Sequence, residues 1–133
     1  MTTRVLINGQ ESDGTIPVTD SSVLRGDGCF EVLKARSGRL FALDEHLDRL
    51  TRSAKILDIP LPARQDLEQW LRSVAESGGD CAVRVVVTRG SSVPGEPGEP
   101  LTIVFGHPVN REAGPATLLP VKAPWHAAGA PWE

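Results

Sequence analysis

The chain has 133 residues, of which 40% are hydrophobic and 23% are charged, and its formal net charge is −3. This length and apolar content fit one domain with one core. The charges are interspersed, which argues against a nucleic-acid partner, and no apolar run approaches the roughly 20 residues that span a bilayer. We therefore expect a soluble, cytoplasmic protein with no membrane segment.

The first third of the sequence predicts strands joined by turns. Residues 4–8 (RVLIN) form a short β-type run that ends in an Asn-Gly turn, and residues 16–18 are predicted to return as its hairpin partner. After the glycines of GDG, residues 29–35 predict a strand because β-branched and aromatic residues follow the turn. A Ser-Gly pair then predicts a tight turn into a strand over residues 39–42.

Two amphipathic helices are predicted in the middle of the chain. Asp44 is predicted to cap the first, in which leucine and alanine recur at steps of three and four up to about Asp58. Two prolines then break the chain, and residues 63–77 predict a second helix that ends at a Gly-Gly pair.

The last third of the sequence predicts a pair of strands and a shorter third one. Residues 82–88 (AVRVVVT) carry valines at both odd and even positions, which predicts a strand covered on both faces. Residues 101–105 are its predicted partner across a Gly- and Pro-rich loop of the mobile or functional kind, and residues 116–121 predict a last strand. The order of elements predicts an α+β domain, a largely antiparallel sheet with two helices packed on one face.

The first helix carries an arginine that has two interpretations. Arg49 and His46 lie three residues apart, on a stripe beside the leucine face. Arg49 could exchange surface ion pairs with Glu45 or Asp48, worth a few tenths of a kcal/mol. Alternatively, its guanidinium is a fixed fork that grips a phosphate, because bidentate geometry requires arginine rather than lysine.

Two charged residues stand in strands that are otherwise apolar. Glu31 follows Phe30, and it is either buried and paired with an arginine or part of a substrate pocket. Arg84 is the sole charge in the valine-rich strand, so it lies at the open edge of the sheet or points into a polar pocket.

The cysteines and histidines predict neither a disulfide nor a metal site. Cys29 and Cys81 are far apart in a chain too large to depend on a disulfide, so we expect reduced structural thiols. His46, His107 and His126 show no spacing of the kind that binds zinc.

Three blocks of sequence together resemble a known family. They are GDGCFE at residues 26–31, DEHLDRLTRSAKIL at residues 44–57 and RVVVTRG at residues 84–90. In this order and spacing they resemble the fold-type IV, or class IV aminotransferase, pyridoxal-phosphate enzymes. That family includes branched-chain aminotransferases, D-amino-acid aminotransferases and aminodeoxychorismate lyases, and the resemblance covers essentially the whole chain. It implies pyridoxal 5'-phosphate as cofactor, an amino-acid-like substrate, a homodimer and the N-terminal domain of the D-amino-acid aminotransferase-like fold.

The resemblance also implies roles for individual residues. The family's H-x-x-R-L helix matches residues 46–50, so the resemblance implies that Arg49 binds the cofactor phosphate. The GDGxFE block lines the substrate side in such enzymes, and the end of the valine strand leads into the loop that shapes substrate choice. The residues that it assigns to the substrate pocket or its rim are Arg25, Phe30, Glu31, Arg84 and Arg89.

A catalytic lysine is expected beyond Glu133. In the family, the lysine that holds the cofactor as a Schiff base follows the segment matched by residues 123–133, and the lysines of this chain match other positions. We therefore expect residues 1–121 to be an N-terminal α+β domain and residues 122–133 to begin an interdomain linker. The C-terminal cofactor-binding domain would then lie outside this chain, and the fragment alone would be inactive.

Within the family, the block GDGCF most resembles aminodeoxychorismate lyases. That likeness implies elimination of pyruvate from 4-amino-4-deoxychorismate to give 4-aminobenzoate for folate synthesis. The loop SSVPGEPGEP lacks the Arg-x-His carboxylate trap of the D-amino-acid enzymes. A branched-chain or D-amino-acid aminotransferase remains the alternative. A truncated, catalytically inactive dimerisation domain is the alternative from another class.

Overall fold

A six-stranded antiparallel sheet forms the framework of the domain. The computed structural model describes residues 4–95, 98–109, 114–115 and 117–120. The strands are β1 Val5–Ile7, β2 Gln10–Glu11, β3 Gly28–Arg36, β4 Arg39–Leu40, β5 Cys81–Thr88 and β6 Thr102–Pro108; the helices are α1 Ser21–Arg25, α2 Leu43–Ile56 and α3 Arg64–Gly78. The strand order is β2-β1-β6-β5-β3-β4, with antiparallel pairing between neighbours.

The core lies between one face of this sheet and the two long helices. Three valines at alternate positions of β5 are fully buried on that side, where they join Leu50 of α2 and Leu71 of α3 in one cluster. Burial of each such side chain stabilises the fold by about 1.5–3 kcal/mol. The predicted α+β class is therefore confirmed. The predicted cover on both faces of β5 is present only in part, because the face away from the helices is half-buried.

Both predicted long helices are present, although the first begins differently. Ala42 occupies the N-cap position of α2 with a left-handed φ of 51° and gives no side-chain cap. Asp44, the predicted cap, lies in the first turn instead, where its charge still suits the positive end of the helix dipole. The second helix begins and ends within one residue of its predicted bounds.

The N-terminal hairpin is shorter than the sequence predicts. Ile7 pairs directly with Gln10, so the chain returns immediately across Asn8 and Gly9, whose φ angles are 48° and 80°. Such a two-residue turn matches the twist of the strands and leaves no room for a longer loop. The predicted return strand at residues 16–18 is therefore wrong.

The end of the chain departs from prediction in the part that can be described. Residues 117–120 form no strand, so the last strand predicted over residues 116–121 is absent from them. The flanking positions of that prediction, and the linker predicted over residues 122–133, lie outside the described residues.

Candidate active site

A buried carboxylate on β3 is held by two side chains of α2. The alternation of β3 turns Glu31 towards the helices, where it is 6% exposed. His46 and Arg49 lie one helical turn apart and therefore on one side of α2. Arg49 donates from Nε to Oε1 of Glu31 at 2.6 Å and from Nη2 to Oε2 at 2.5 Å. His46 Nδ1 lies 2.8 Å from the same Oε2.

This cluster keeps both members of the ion pair charged. The hydrogen bonds from Arg49 are the main reason why the pKa of Glu31 is lowered, and they outweigh the burial that raises it. Glu31 in turn raises the pKa of Arg49, mainly through the same hydrogen bonds. The carboxylate is therefore ionised at neutral pH although it faces the core.

Arg49 keeps one side of its guanidinium in solvent. Its side chain is 58% exposed, and among the described residues only Nε and Nη2 have partners. The sequence alternative in which Arg49 pairs with Glu45 or Asp48 is wrong, since its partner is Glu31 and Asp48 binds Arg64 at 2.6 Å. For Glu31, the interpretation as a buried acid paired with an arginine is confirmed.

Phe30 and Arg84 lie together on the opposite face of the sheet. Phe30 precedes Glu31 and therefore points away from the helices, where it is 60% exposed. The guanidinium carbon of Arg84 is 5.2 Å from the centre of the Phe30 ring, within cation–π range. Because β5 lies between β3 and β6, the interpretation that places Arg84 at the edge of the sheet is wrong. Arg84 Nε is buried and has no hydrogen-bond partner among the described residues.

His107 joins this face, and the sequence did not single it out for the site. It pairs with Ala82 on β5, while Phe105 pairs with Arg84, so His107 is a diagonal neighbour of Arg84 on the same face. Its Nε2 is also buried without a partner among the described residues. The predicted strand ended at Phe105; continuing the alternation two residues further would have found His107.

The two faces meet at an open part of β3. β4 pairs only with Ala35 and Arg36, so from Gly28 to Leu33 the strand pairs with β5 alone among the described strands. The Glu31 cluster therefore lies on one side of an unpaired strand edge, and Phe30 lies on the other side.

Arg89 connects three separate segments of the backbone. Its Nε donates to Asp27 Oδ2 at 2.9 Å, Nη1 donates to the Asp58 carbonyl at 3.1 Å, and Nη2 donates to the Leu57 carbonyl. Asp27 raises the pKa of Arg89 through this hydrogen bond. Arg25 is 61% exposed and only approaches Asp27, at 3.9 Å. Arg89 thus fastens the GDG turn to the end of α2, whereas Arg25 is mostly exposed and contributes no close hydrogen bond to it.

The other reactive groups of the described residues are dispersed. Cys29 and Cys81 are unbonded, and burial raises the pKa of both, which holds them as thiols at neutral pH. Lys34 and Lys55 are exposed on a strand and a helix. In the ranges that the structure describes, no three His, Cys, Asp or Glu side chains are placed to hold a metal, and no helix is long and apolar enough to cross a membrane.

Comparison with known proteins gives consistent matches. The family model described as amino-transferase class IV matches residues 28–127. A bifunctional aminodeoxychorismate lyase / D-amino acid transaminase of Mycobacterium tuberculosis is 39% identical over 53% of this chain and 26% of its own length. A D-alanine aminotransferase of Listeria monocytogenes is 34% identical over 68% of this chain and 34% of its own length.

Solved structures agree with these sequence matches. The crystal structure of 4-amino-4-deoxychorismate lyase from Pseudomonas aeruginosa superposes with a TM-score of 0.69 and 31% identity, over 78% of this chain and 39% of that one. The chain thus spans about a third of the length of the relatives that it matches. The matched region and the shared fold show that the chain belongs to the class IV aminotransferase family and contains the N-terminal region of its pyridoxal-phosphate fold type IV.

Proposed function

We propose that this chain is the N-terminal part of a pyridoxal-phosphate enzyme, and that the intact enzyme eliminates pyruvate from 4-amino-4-deoxychorismate to give 4-aminobenzoate. The observation that carries the proposal is Arg49, which is fixed by Glu31 on one edge and open to solvent on the other. The remaining support comes from the face that carries Phe30 and Arg84 and from the lyase relatives.

The donor groups of this chain fit the phosphate of the cofactor. A phosphate dianion is well held by a planar, permanently charged guanidinium, and Arg49 presents one with unused N–H donors. When bound, pyridoxal phosphate supplies the electron sink that stabilises a carbanion. The lysine that would bind it is proposed to lie beyond Glu133, in a C-terminal domain that follows residues 1–121 and the linker.

The substrate side of the proposed site lies on the other face of β3. The proposed substrate carries two carboxylates, and Arg84 brings to this face a guanidinium whose Nε has no protein partner among the described residues. Phe30 would stack its ring against the substrate while it holds the Arg84 guanidinium by the cation–π contact. Arg25 is exposed and could attract the acid at the rim, whereas Arg89 would act on the loop because its donors are already engaged.

The main alternative is an aminotransferase that acts on D- or branched-chain amino acids. One relative carries both activities in its name, which keeps this alternative open. The loop at residues 90–100 contains neither arginine nor histidine, so this chain has no Arg-x-His carboxylate trap there. That departure favours the lyase.

A product assay on the intact enzyme tests the proposal. Purified holoenzyme is given 4-amino-4-deoxychorismate, and the release of 4-aminobenzoate and pyruvate is followed. In parallel, it is given D-alanine or a branched-chain amino acid with 2-oxoglutarate. Only the first reaction is expected to be fast. A fast second reaction with no 4-aminobenzoate would favour the aminotransferase, and failure to take up cofactor would favour the dimerisation domain.

A substitution tests the proposed role of Arg49 in the same enzyme. Arg49→Ala removes a charge-assisted pair worth about 1.5–3 kcal/mol, so pyridoxal-phosphate affinity should fall by roughly 10- to 150-fold. Arg52→Ala is the matched control, since Arg52 is exposed on the same helix and binds no described residue. Equal affinity in the two variants would contradict the role.

A further inference from the structure

The position of Glu31 is unusual for a residue that only stabilises a fold. It is 6% exposed on the helix-facing side of β3, between the half-buried Cys29 and the fully buried Leu33. Burial removes most of the hydration of the Glu31 carboxylate, and its pairing with Arg49, whose side chain is 58% exposed, recovers only part of that free energy. An apolar side chain at this position would therefore serve the core at least as well.

The geometry of the ion pair fixes how Arg49 is oriented. Glu31 binds the edge formed by Nε and Nη2 through two nearly parallel hydrogen bonds of 2.6 and 2.5 Å. This side-on arrangement determines the plane of the guanidinium and leaves Nη1 unused by the described residues. An exposed arginine without such a partner would sample many rotamers, and binding would have to restrict them.

His46 in turn fixes the carboxylate of Glu31. Its Nδ1 is 2.8 Å from Glu31 Oε2 and 3.1 Å from Arg49 Nη2. A ring nitrogen without hydrogen would face the carboxylate as a second acceptor, so the shorter contact assigns the proton to Nδ1. His46 therefore donates to Glu31, and its side chain is only 18% exposed.

We propose that Glu31, supported by His46, is a positioning residue that presents the free edge of Arg49 to the phosphate of the cofactor. This inference rests on the proposed role of Arg49 as the phosphate ligand. It assigns Glu31 to the phosphate side of the site rather than to the substrate pocket.

The sign of one mutational effect separates this role from simple electrostatics. Glu31→Gln removes a negative charge next to an anion site, so Coulomb interactions alone would tighten phosphate binding. Loss of the two hydrogen bonds from Arg49 to Glu31 would instead free the Arg49 side chain to change rotamer and would weaken phosphate binding. We expect pyridoxal-phosphate affinity of the intact enzyme to fall by about tenfold, the scale set by the rotamer freedom of one arginine side chain. Glu45→Gln is the matched control: it removes an exposed charge from the same helix and should change the affinity less than about twofold.

A double-mutant cycle completes the experiment, with the cofactor dissociation constant measured by equilibrium titration of apoenzyme. If Glu31 acts through Arg49, then Glu31→Gln should change the affinity by less than about twofold in the Arg49→Ala background. An equal loss in both backgrounds, or tighter binding in the single variant, would overturn the positioning role. Unchanged affinity in Arg49→Ala would instead overturn the proposed function on which it rests.

A second variant keeps the test decisive if Glu31→Gln does not fold. Glu31→Asp retains the charge but withdraws the carboxylate by one methylene, so the fork to Arg49 should be lost with little change in net electrostatics. The pyridoxal-phosphate affinity of Glu31→Asp is expected to fall by a smaller factor than that of Glu31→Gln, and only when Arg49 is present. Wild-type affinity in a folded Glu31→Asp protein would overturn the proposal.

Discussion

Replacement of Arg89 tests whether this residue stabilises the domain or contacts substrate. In Arg89→Met the apolar stem is retained, but the hydrogen bonds to Asp27 and to the carbonyls of Leu57 and Asp58 are lost. These bonds join the GDG turn, the end of α2 and the start of the loop after β5. We therefore expect a loss of stability rather than a selective effect on binding.

The size of this loss follows from the exposure of the groups involved. The side chains of Arg89 and Asp27 are 39% and 23% exposed, so their ion pair is worth about 0.5–1 kcal/mol rather than the value of a buried pair. The two carbonyls lie at the end of a helix, where a cation contributes about 0.3–1 kcal/mol. Together they give about 1–2 kcal/mol, or roughly 4–8 °C in Tm for a domain of this size.

Thermal unfolding followed by circular dichroism measures this effect. Arg25→Met is the matched control, because it removes the same charge from a side chain that is 61% exposed and only 3.9 Å from Asp27. Its Tm should change by less than about 2 °C. Equal shifts in the two variants, or an unchanged Tm in Arg89→Met with altered kinetics of the intact enzyme, would refute the reasoning.

Two further predictions concern the ion pair and the loop after β5. The pKa of Glu31 is lower in the folded state than its ordinary value. Ionised Glu31 therefore stabilises the fold fully at pH values above the ordinary glutamate pKa, and this stabilisation is lost as the pH falls through the pKa of the folded state. The urea midpoints of wild type and Glu31→Gln should differ at about pH 7 and converge towards about pH 3, whereas a constant difference would contradict the ion-pair explanation. Gly90→Ala should destabilise by more than about 2 kcal/mol, because φ is +86° and an added Cβ would lie 2.4 Å from the Gly98 carbonyl oxygen. Gly95→Ala, with φ +83° but no atom of the described residues within 4 Å of the added Cβ, should cost only about 1 kcal/mol by chemical denaturation, and similar losses would rule out the steric explanation.

The sequence predicts the long elements but not the short ones. Runs of β-branched and aromatic residues predict β3 and β5, and a period near 3.6 predicts α2 and α3, because each helix buries one face over several turns. Helix α1 has only five residues, too few for a period to emerge, so the sequence does not predict it. At the N-terminus the Asn-Gly pair predicts a turn, but the direct pairing of Ile7 with Gln10 is visible only in the structure.

The sequence predicts the surroundings of single residues of the candidate site, but not which of these residues contact each other. Spacing indicated that Arg49 lies beside the core face of α2, and the surroundings of Glu31 indicated a buried acid. Which acid and which arginine meet depends on how α2 packs over β3, and the two residues are 18 positions apart. Arg89 shows the same limit, since its partners Asp27, Leu57 and Asp58 come from two distant segments.

The alternation of a single strand accounts for the layout of the proposed site. Phe30 and Glu31 are consecutive, so they must face opposite sides of β3. Phe30 contacts Arg84, and Glu31 binds Arg49. Arg49 is thereby held on the helix side and Arg84 on the other. A ligand that contacts both must lie across the edge of β3, and that edge is unpaired from Gly28 to Leu33 among the described residues. A shift of β3 by one residue would exchange its two faces, so the register in which Phe30 pairs with Val86 and Glu31 with Val85 decides which arginine each of them meets.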